Sequence, residues 1–374
     1  MSWPVVSLSE VVDFLDSKRR PVKESERVDG PYPYYGANGQ QGWIDGFLFD
    51  EPLILLAEDG GHFDNPSRGI AYSIEGKTWV NNHAHVLRAT PRVEHRYLLH
   101  SLKNRDVRQY ITGSTRGKLT KEGASRIKIP LPPIEEQQRI AARLDQAEEL
   151  RAKRRAAIAL LDQLPQSIFL EMFGDPFSNP RSWTTKELRS VTSAIIDCPH
   201  STPIWTSDGV TCLRTSNLGK GSWEWTDHRY VSEETYLLRS SRGEIDPGDI
   251  ILSREGTVGI MAIAPEGHRM CMGQRLVQVK PRAEMVTAQF LMNYLLFLLS
   301  PERLKQSMVG STAQHLNVKE LRSLNCLVPT LALQHQFASK IQSIQCAKIA
   351  QKSALTELDS LFASLQATAF GGEL

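Results

Sequence analysis

Two carboxylates and two histidines in the first third of the chain are of the types that do acid–base or metal chemistry. Glu58 and Asp59 are adjacent, and a pair of carboxylates can serve as general acid and base. His83 and His85 are two positions apart, so on a strand both would lie on one face as a metal-binding pair. However, no third ligand has suitable spacing, and turn chemistry explains the two carboxylates more simply than acid–base work does. These residues therefore predict no catalytic centre and no metal site.

A glycine-rich segment, residues 113–118, is similar to a phosphate-binding loop. It reads Gly-Ser-Thr-Arg-Gly-Lys, but its glycines are four positions apart where that loop needs five, and Leu119 replaces the required Ser or Thr. The sequence contains no glycine-rich cofactor motif after a strand pattern and no nucleophile elbow. We therefore expect a chain that is not an enzyme and binds no cofactor itself.

Part of the same segment occurs again later in the chain, because the sequence contains an internal duplication. Gly113-Ser114-Thr115 recurs as Gly310-Ser311-Thr312, and the offset of 197 residues then holds to the end of the chain. Ser2-Trp3 recurs as Ser182-Trp183 at an offset of 180, so the second copy is 17 residues longer and its middle differs. A duplication of this length predicts a pseudo-twofold molecule, and duplex DNA is a common partner of such molecules. The Gly-Ser-Thr turn is then either purely structural or a turn beside a DNA backbone.

Bulk composition is that of an ordinary globular protein. The 374 residues are 41% hydrophobic and 23% charged, which allows two or three domains, and the net charge of +2 neither requires nor excludes nucleic acid. The first ten residues do not resemble a signal peptide, and the longest apolar run, residues 290–299, is too short to span a bilayer. Five unpaired cysteines are typical of reduced thiols. These features predict a cytoplasmic protein with no membrane partner.

The repeat divides the chain into four segments. Residues 1–133 and 175–330 contain short strand patterns separated by turns, with helices expected at about 94–110 and 287–307, and we call them the first and second head. Residues 134–174 and 331–374 begin after prolines, contain glycine near their ends and have heptad-like spacing, and we call them the first and second spacer helix. The predicted fold is α+β, with two strand-rich heads joined by two long antiparallel helices that form a coiled-coil spacer.

Apolar residues repeat along the spacer helices at alternating steps of three and four. The predicted seam comprises Ile140, Leu144, Ile158, Leu161, Ile168, Phe337, Ile341, Ile344, Leu355, Leu358, Phe362 and Leu365. Such a seam packs against another helix, and the other copy is the obvious partner. Both seams become polar in the middle, where the long side chains either fix the register or reach out to water. A helix of ~38 residues is ~57 Å long, which corresponds to ~17 base pairs of duplex.

The sequence as a whole resembles the specificity subunit of type I restriction-modification systems. The run from Ile129 to Ala141, Ile-Pro-Leu-Pro-Pro-Ile-Glu-Glu-Gln-Gln-Arg-Ile-Ala, and the helix end Glu-Met-Phe-Gly-Asp at residues 171–175 are similar to segments of that family. Residues 79–86 and 248–259 resemble segments of its target recognition domains. The likeness covers essentially the whole chain, and its elements occur in the family's order.

The resemblance implies that the heads are target recognition domains, each reading one half of a split double-stranded DNA site. It also implies that two methyltransferase subunits dock on the spacer helices and bind S-adenosylmethionine, and that restriction or motor subunits join this core. Residues 331–333, Leu-Ala-Leu, depart from the pattern, since they lack the Glu-Glu pair of the first copy. Two alternatives stay open: the specificity chain of a combined endonuclease–methyltransferase, and an autonomous enzyme that uses Glu58, Asp59, His83 and His85.

Side chains that read bases or hold phosphates are Arg, Lys, Asn, Gln, Ser, Thr and His. In the first head the predicted DNA-contacting residues are Asn38, Gln40, Gln41, Arg68, Asn82, His83, His85, Arg116 and Lys118. In the second head they are Arg214, Ser216, Asn217, Arg254, Gln274, Arg275, Gln314 and His315.

Overall fold

Short runs of β-branched and aromatic residues, separated by turn residues, form the strands of both heads. The computed structural model describes residues 3–65, 68–113, 117–300, 303 and 315–370. The predicted site residues Arg116 and Gln314 lie outside the described residues. The described chain divides into a first unit, residues 1–155 with 353–374, and a second unit, residues 156–352.

The first head builds its two four-stranded sheets and one strand pair from segments of two to six residues. Its strands are β1 (Val5–Ser7), β2 (Val12–Phe14), β3 (Tyr32–Gly36), β4 (Gly39–Ile44), β5 (Phe49–Asp50), β6 (Leu53–Ala57), β7 (Ala71–Ile74), β8 (Lys77–Val80), β9 (Ala84–Ala89) and β10 (Lys128–Pro130). Its helices are α1 (His95–Lys103) and α2 (Lys121–Ser125). One sheet has the antiparallel order β2-β9-β6-β7, the other has the order β4-β3-β8-β5 with β3 and β8 parallel, and β1 pairs with β10.

The second head repeats this plan. Its strands are β11 (Thr184–Glu187), β12 (Thr192–Asp197), β13 (Val210–Leu213), β14 (Tyr230–Val231), β15 (Ile250–Ser253), β16 (Met261–Ile263), β17 (Met270–Met272), β18 (Leu276–Pro281) and β19 (Asn325–Val328). Its helices are α4 (Leu188–Val191), α5 (Glu233–Arg239), α6 (Ala288–Leu298) and α7 (Val318–Arg322). The sheet orders are β12-β18-β15-β16 and β14-β13-β17, with β13 and β17 parallel, and β11 pairs with β19. The two heads are therefore one architecture used twice.

The length difference between the heads is concentrated at one hairpin. β3 and β4 are joined by residues 37–38, whereas the equivalent β13 and β14 are joined by residues 214–229. We call residues 214–229 the second-head insert. Its residues contact the edge of β16, where the Gly221 amide donates to the Met261 carbonyl at 2.9 Å. The frame is thus preserved while one connection is lengthened.

The spacer helices are α3 (Ile134–Phe173) and α8 (Leu331–Phe370), each of 40 residues. Within the first unit Arg151 of α3 pairs with Asp359 of α8, and Phe362 of α8 packs in the core that contains Leu144 of α3. Within the second unit the rings of Phe169 and Phe337 are 5.7 Å apart, edge to face. In the first unit earlier residues of α3 meet later residues of α8, and in the second unit later residues of α3 meet earlier residues of α8, so the helices are antiparallel.

The observed architecture confirms the predicted α+β class with two strand-rich heads and two long antiparallel helices. β6, a continuous apolar run with all five residues buried, lies between two neighbours in its sheet, as expected for a central strand. In the described part of the chain, no helix combines the length and the apolarity needed to cross a membrane.

Two boundaries differ from the expectations. α1 ends at Lys103 rather than near residue 110, and the polar segment that follows forms only a short 3-10 turn at Arg108–Tyr110. α6 ends at Leu298 rather than at 307, because Pro301 disfavours the helical conformation at Ser300.

Candidate nucleic-acid interface

In the first head, four connections come together at one end of the strands. The segment after β6 bonds to the β3–β4 turn, where the Asn38 side-chain amide donates to the Gly60 carbonyl at 2.9 Å. It also bonds to the segment before α2, where the Leu119 amide donates to the Glu58 carbonyl at 2.8 Å. The loop before β9 completes the group, because the Glu58 amide donates to the His83 carbonyl at 2.9 Å. We call this group of connections the first-head site.

Asn81 organises the exposed polar residues of this site. Its buried side chain donates to Gln41 Oε1 at 3.1 Å and accepts the His83 amide at 2.8 Å. The His83 ring is held in turn by Asp59, with 2.6 Å between Nδ1 and Oδ1. Gly60 supplies the left-handed backbone of this turn, with φ of 67°. One buried amide and one carboxylate therefore position two of the predicted DNA-contacting side chains.

An ion-pair network lies beneath the exposed residues. His85 is fully buried, with Nδ1 2.7 Å from Asp16 Oδ2 and Nε2 2.8 Å from the Leu119 carbonyl. Burial opposes ionisation of Asp16, but hydrogen bonding and charge from His85 prevail and hold the pKa of Asp16 below its ordinary value. His85 therefore anchors the site from inside the head.

Glu58 continues the network towards the surface. Its carboxylate is 2.7 Å from the Arg19 guanidinium and 2.9 Å from Lys118 Nζ. Burial alone would raise the pKa of Glu58. Hydrogen bonds from Arg19 and Lys118 outweigh this effect and hold the pKa of Glu58 below its ordinary value. Lys118 is half exposed at its end of the network.

Asp16, Glu58 and His85 place three ligand atoms within 4.8 Å of one another, a spacing that a metal ion can use. The donor set does not fit a metal, because Arg19 and Lys118 already bind both oxygens of Glu58. The cations balance the carboxylates, so the cluster is a structural ion-pair network.

The equivalent connections of the second head carry different side chains. Arg254 follows β15 as Glu58 follows β6, and its guanidinium binds both oxygens of Asp197 at 2.7 and 2.6 Å. Glu255 lies 3.7 Å from the Arg275 guanidinium and 3.9 Å from the His315 ring. Arg275 adopts a left-handed backbone with φ of 67°, which is uncommon for a residue with a side chain. We call this group the second-head site.

The two ends of the second-head insert are joined to each other by side chains. Asn217 is buried and closes its base: its Oδ1 accepts the Arg214 amide at 2.8 Å and its Nδ2 donates to the Asp227 carbonyl at 3.0 Å. Arg214 and Asp227 form a half-exposed ion pair. Further along the insert, the rings of Trp223 and Trp225 stack with centroids 4.9 Å apart.

The structure places the predicted DNA-contacting residues in two classes. Those with exposed or half-buried side chains are Asn38, Gln40, Gln41, Arg68, Asn82, His83, Lys118, Arg214, Ser216, Gln274, Arg275 and His315. Of these, Arg68 lies in the β6–β7 connection beside the end of α1, where the neighbouring Ile70 amide donates to the Lys103 carbonyl at 2.7 Å. No described contact links Arg68 with the first-head site.

Three predicted residues are buried and are corrected here. His85 has no exposed surface and both its ring nitrogens are engaged. Asn217 is 2% exposed and bonds to the insert backbone, and Arg254 is 9% exposed and bonds to Asp197. Each of these side chains is engaged by groups of the protein itself, so it supports a site from below instead of lying on its surface.

Sequence reasoning missed the supporting residues Asn81, Asp197 and Asp227. Nothing in their type or spacing distinguishes them from ordinary loop residues. The neighbouring Asn82 was predicted instead of Asn81, because which of two adjacent asparagines points outward depends on where β8 ends, and β8 ends at Val80.

The predicted seam residues lie along the facing sides of the spacer helices. Ile140, Leu144, Phe337, Ile341 and Phe362 are buried, and the other seven are half-buried. In the polar middle, Arg151 pairs with Asp359 at 2.5 Å and covers the Phe362 ring at 4.3 Å. The duplicated pair, Lys348 with Asp162, occurs in the second unit. The polar seam residues therefore form cross-helix ion pairs.

Comparison with known proteins finds relatives along nearly the whole chain. A family model described as the type I restriction modification DNA specificity domain matches residues 1–160 and 205–357. A Haemophilus influenzae protein that carries the description of a type I restriction enzyme specificity subunit is 26% identical over 349 residues, covering 90% of this chain and 86% of the relative. The MjaVIII specificity subunit of Methanocaldococcus jannaschii is 23% identical over 375 residues, covering 91% and 86%.

A solved structure shares the fold. The crystal structure of a type I restriction-modification S subunit from M. genitalium superposes with a TM-score of 0.61 at 13% sequence identity, covering 99% of this chain and 96% of that chain. These findings confirm the resemblance drawn from the sequence motifs.

Proposed function

The chain belongs to the type I restriction-modification DNA specificity family, a DNA-recognition rather than a catalytic family, and on that premise we propose that it reads a split DNA site. The first-head site reads one half and the second-head site reads the other, across a gap of unread base pairs. The observation that carries this proposal is a repeated frame whose strand-end connections differ. Two heads that share a fold but differ in the side chains at their strand ends are suited to recognising two different DNA sequences.

The chemistry of the two sites supports different targets. The first-head site exposes the amides of Asn38 and Gln41, a side-chain type that pairs with adenine edges. The second-head site carries Arg275 and the second-head insert carries Arg214, and guanidinium groups pair with guanine edges. Lys118 and His315 stand at equivalent places, where each is suited to a phosphate.

Partners follow from the same proposal. Two methyltransferase subunits dock on the duplicated spacer helices and carry S-adenosylmethionine, while this chain binds no cofactor. Restriction and motor subunits join that core, which works in the cytoplasm where the DNA lies. Glu135 and Glu136 have Ala332 and Leu333 as their counterparts, so the two docking surfaces are not identical in charge.

Exchange of one head tests the proposal. We expect that replacing residues 1–133 with the same segment of a relative of different specificity changes one half of the methylated motif. The chain is co-expressed with its methyltransferase subunit in a methylation-free host, and modified adenines are mapped by single-molecule sequencing. Exchange of residues 175–330 is the matched control and should change only the other half. A motif that survives the first exchange unaltered would overturn the proposal.

A further inference from the structure

A buried amide ties the start of the first spacer helix to the first head. Gln137, 1% exposed, lies in the first turn of α3. Its Oε1 accepts the Glu94 amide at 2.8 Å, and its Nε2 donates to the Arg92 carbonyl at 3.2 Å and the Pro132 carbonyl at 2.8 Å. One side chain thus connects the spacer helix, the chain before it and the segment that opens α1.

The second unit repeats the arrangement with the same residue type. Gln334 is fully buried in the first turn of α8, 197 residues after Gln137. Its Oε1 accepts the Thr287 amide at 2.8 Å, and its Nε2 donates to the Met285 carbonyl at 3.1 Å and the Pro329 carbonyl at 2.9 Å. All three bonds have equivalents in the first unit: a proline carbonyl before the helix accepts in both, whereas the other two backbone groups come from different residue types.

A tyrosine in α1 and another in α6, the helices we call the head helices, each add a further hydrogen bond between head and spacer segment. The Tyr97 hydroxyl in α1 donates to the Pro130 carbonyl at 2.8 Å, and the Tyr294 hydroxyl in α6 donates to the Asn325 carbonyl at 2.7 Å. Both carbonyls belong to the strand that leads into a spacer helix. The head helix is therefore fixed to the spacer from two directions in each unit.

The contacts outside these ties differ between the units. In the first unit α1 and α3 meet through ion pairs, with His100 Nε2 2.8 Å from Asp145 and Lys103 2.8 Å from Glu148. In the second unit α6 meets the spacer through stacked rings, with Phe169 and Phe290 5.6 Å apart. The glutamine contacts are shared while the surrounding interface is not, which points to a common geometric task.

We propose that Gln137 and Gln334 are positioning residues that fix the angle of each head on its own spacer helix and thereby make the complex accept a single gap length. The inference rests on the proposed split-site reading. An amide suits this task because it donates twice and accepts once, which satisfies two carbonyls and one amide in a buried corner. Without it, the head can tilt about the start of the helix.

The test uses Gln137→Met and Gln334→Met, since methionine has a similar length and no donors to the two carbonyls. The matched controls are Gln138→Met and Gln336→Met, at exposed positions one and two residues away. Each chain, assembled with its methyltransferase subunit, is presented with DNA that carries both half-sites at the native gap or at a gap one base pair shorter or longer. Initial methylation rates are measured, and thermal unfolding shows that the variants are folded.

We expect the preference for the native gap over its neighbours to fall about tenfold in either buried variant, equivalent to ~1.4 kcal/mol, with the half-site sequences unchanged. The exposed controls should keep the native preference. If Gln137→Met does not fold, Gln137→Glu replaces it, because a carboxylate retains the acceptor but loses the donors.

Folded variants that keep the wild-type gap preference would overturn the positioning role. A wild-type complex that methylates no split site would instead refute the proposed function, so the two failures are distinguishable.

Discussion

At the scale of single residues, the exposed polar side chains of the first-head site depend on charges buried beneath them. His83 and His85 were expected on one face of a strand, but β9 begins at Ala84, so His83 belongs to the preceding loop and only His85 follows the strand's alternation. The loop residue is exposed and the strand residue is buried. Period-two spacing could predict the direction of these side chains only if the strand boundary were known.

Acid should weaken the first head through Asp16 and Glu58. Both carboxyls have lowered pKa values in the folded chain, so the unfolded chain binds more protons near pH 4. The two carboxylates should therefore contribute fully to the free energy of unfolding at neutral pH, and this contribution should be lost as the pH drops below about 4. Urea unfolding between pH 3 and 7 measures this slope.

Asp16→Asn should flatten the same slope, because it removes one of the two titrating carboxylates, and should lower stability at pH 7 by removing the nearer of the two carboxylates that face His85. Ser17→Ala, at an exposed neighbour, is the control for substitution in this turn. A slope in Asp16→Asn equal to that of the wild type would refute the role of Asp16.

At the scale of elements, strongly periodic segments were predictable and irregular ones were not. The heptad pattern predicted both spacer helices, since burial of a continuous apolar stripe requires helical spacing. The second-head insert has no period, and its path is set by contacts distant in sequence, such as the 2.7 Å hydrogen bond from Trp223 Nε1 to the Ile263 carbonyl. Only tertiary packing shows where such a segment lies. The buried supports of both sites escaped prediction for the same reason.

Phe362→Ala should destabilise the first unit by about 3–5 kcal/mol, because it leaves a cavity in the core formed with Ile140 and Leu144 and removes the ring beneath Arg151. Leu361→Ala, at a neighbouring position that is 52% exposed, should cost less than about 1 kcal/mol. Denaturant unfolding of the two variants provides the comparison. Equal losses in both would contradict the packing assigned to the seam.

At the scale of the whole molecule, internal duplication governs most features. The sheet orders, the ion pairs of the polar seam and the glutamine ties all recur at equivalent places. The recurring offset made this repetition predictable from the sequence alone, whereas the exposed residues of the two sites lie on connections that the two copies do not share. The frame could therefore be predicted more fully than the sites.

Lengthening both spacer helices by seven residues, after Arg155 and after Lys352, should lengthen the unread gap by ~3 base pairs. Seven helical residues add ~10.5 Å, and duplex DNA rises ~3.4 Å per base pair. Mapping of the methylated motif measures the gap. A seven-residue insertion after Gly76, in the exposed β7–β8 turn, is the control and should leave the gap unchanged. An unaltered gap in the lengthened chain would refute the role of the helices as a spacer.

The division of the chain into units also determines the order in which the ribosome synthesises the segments of each unit. The second unit is one continuous stretch, residues 156–352, whereas the first unit needs residues from 353 onward to complete it. The apolar stripe around Leu144 is made early, but Phe362 reaches it only after some 200 further residues, about 10–40 s later at usual elongation rates. The core of the unit that is synthesised first is thus the last to be completed. During that interval the apolar stripe of α3 lacks its partner and is a surface to which a chaperone can bind.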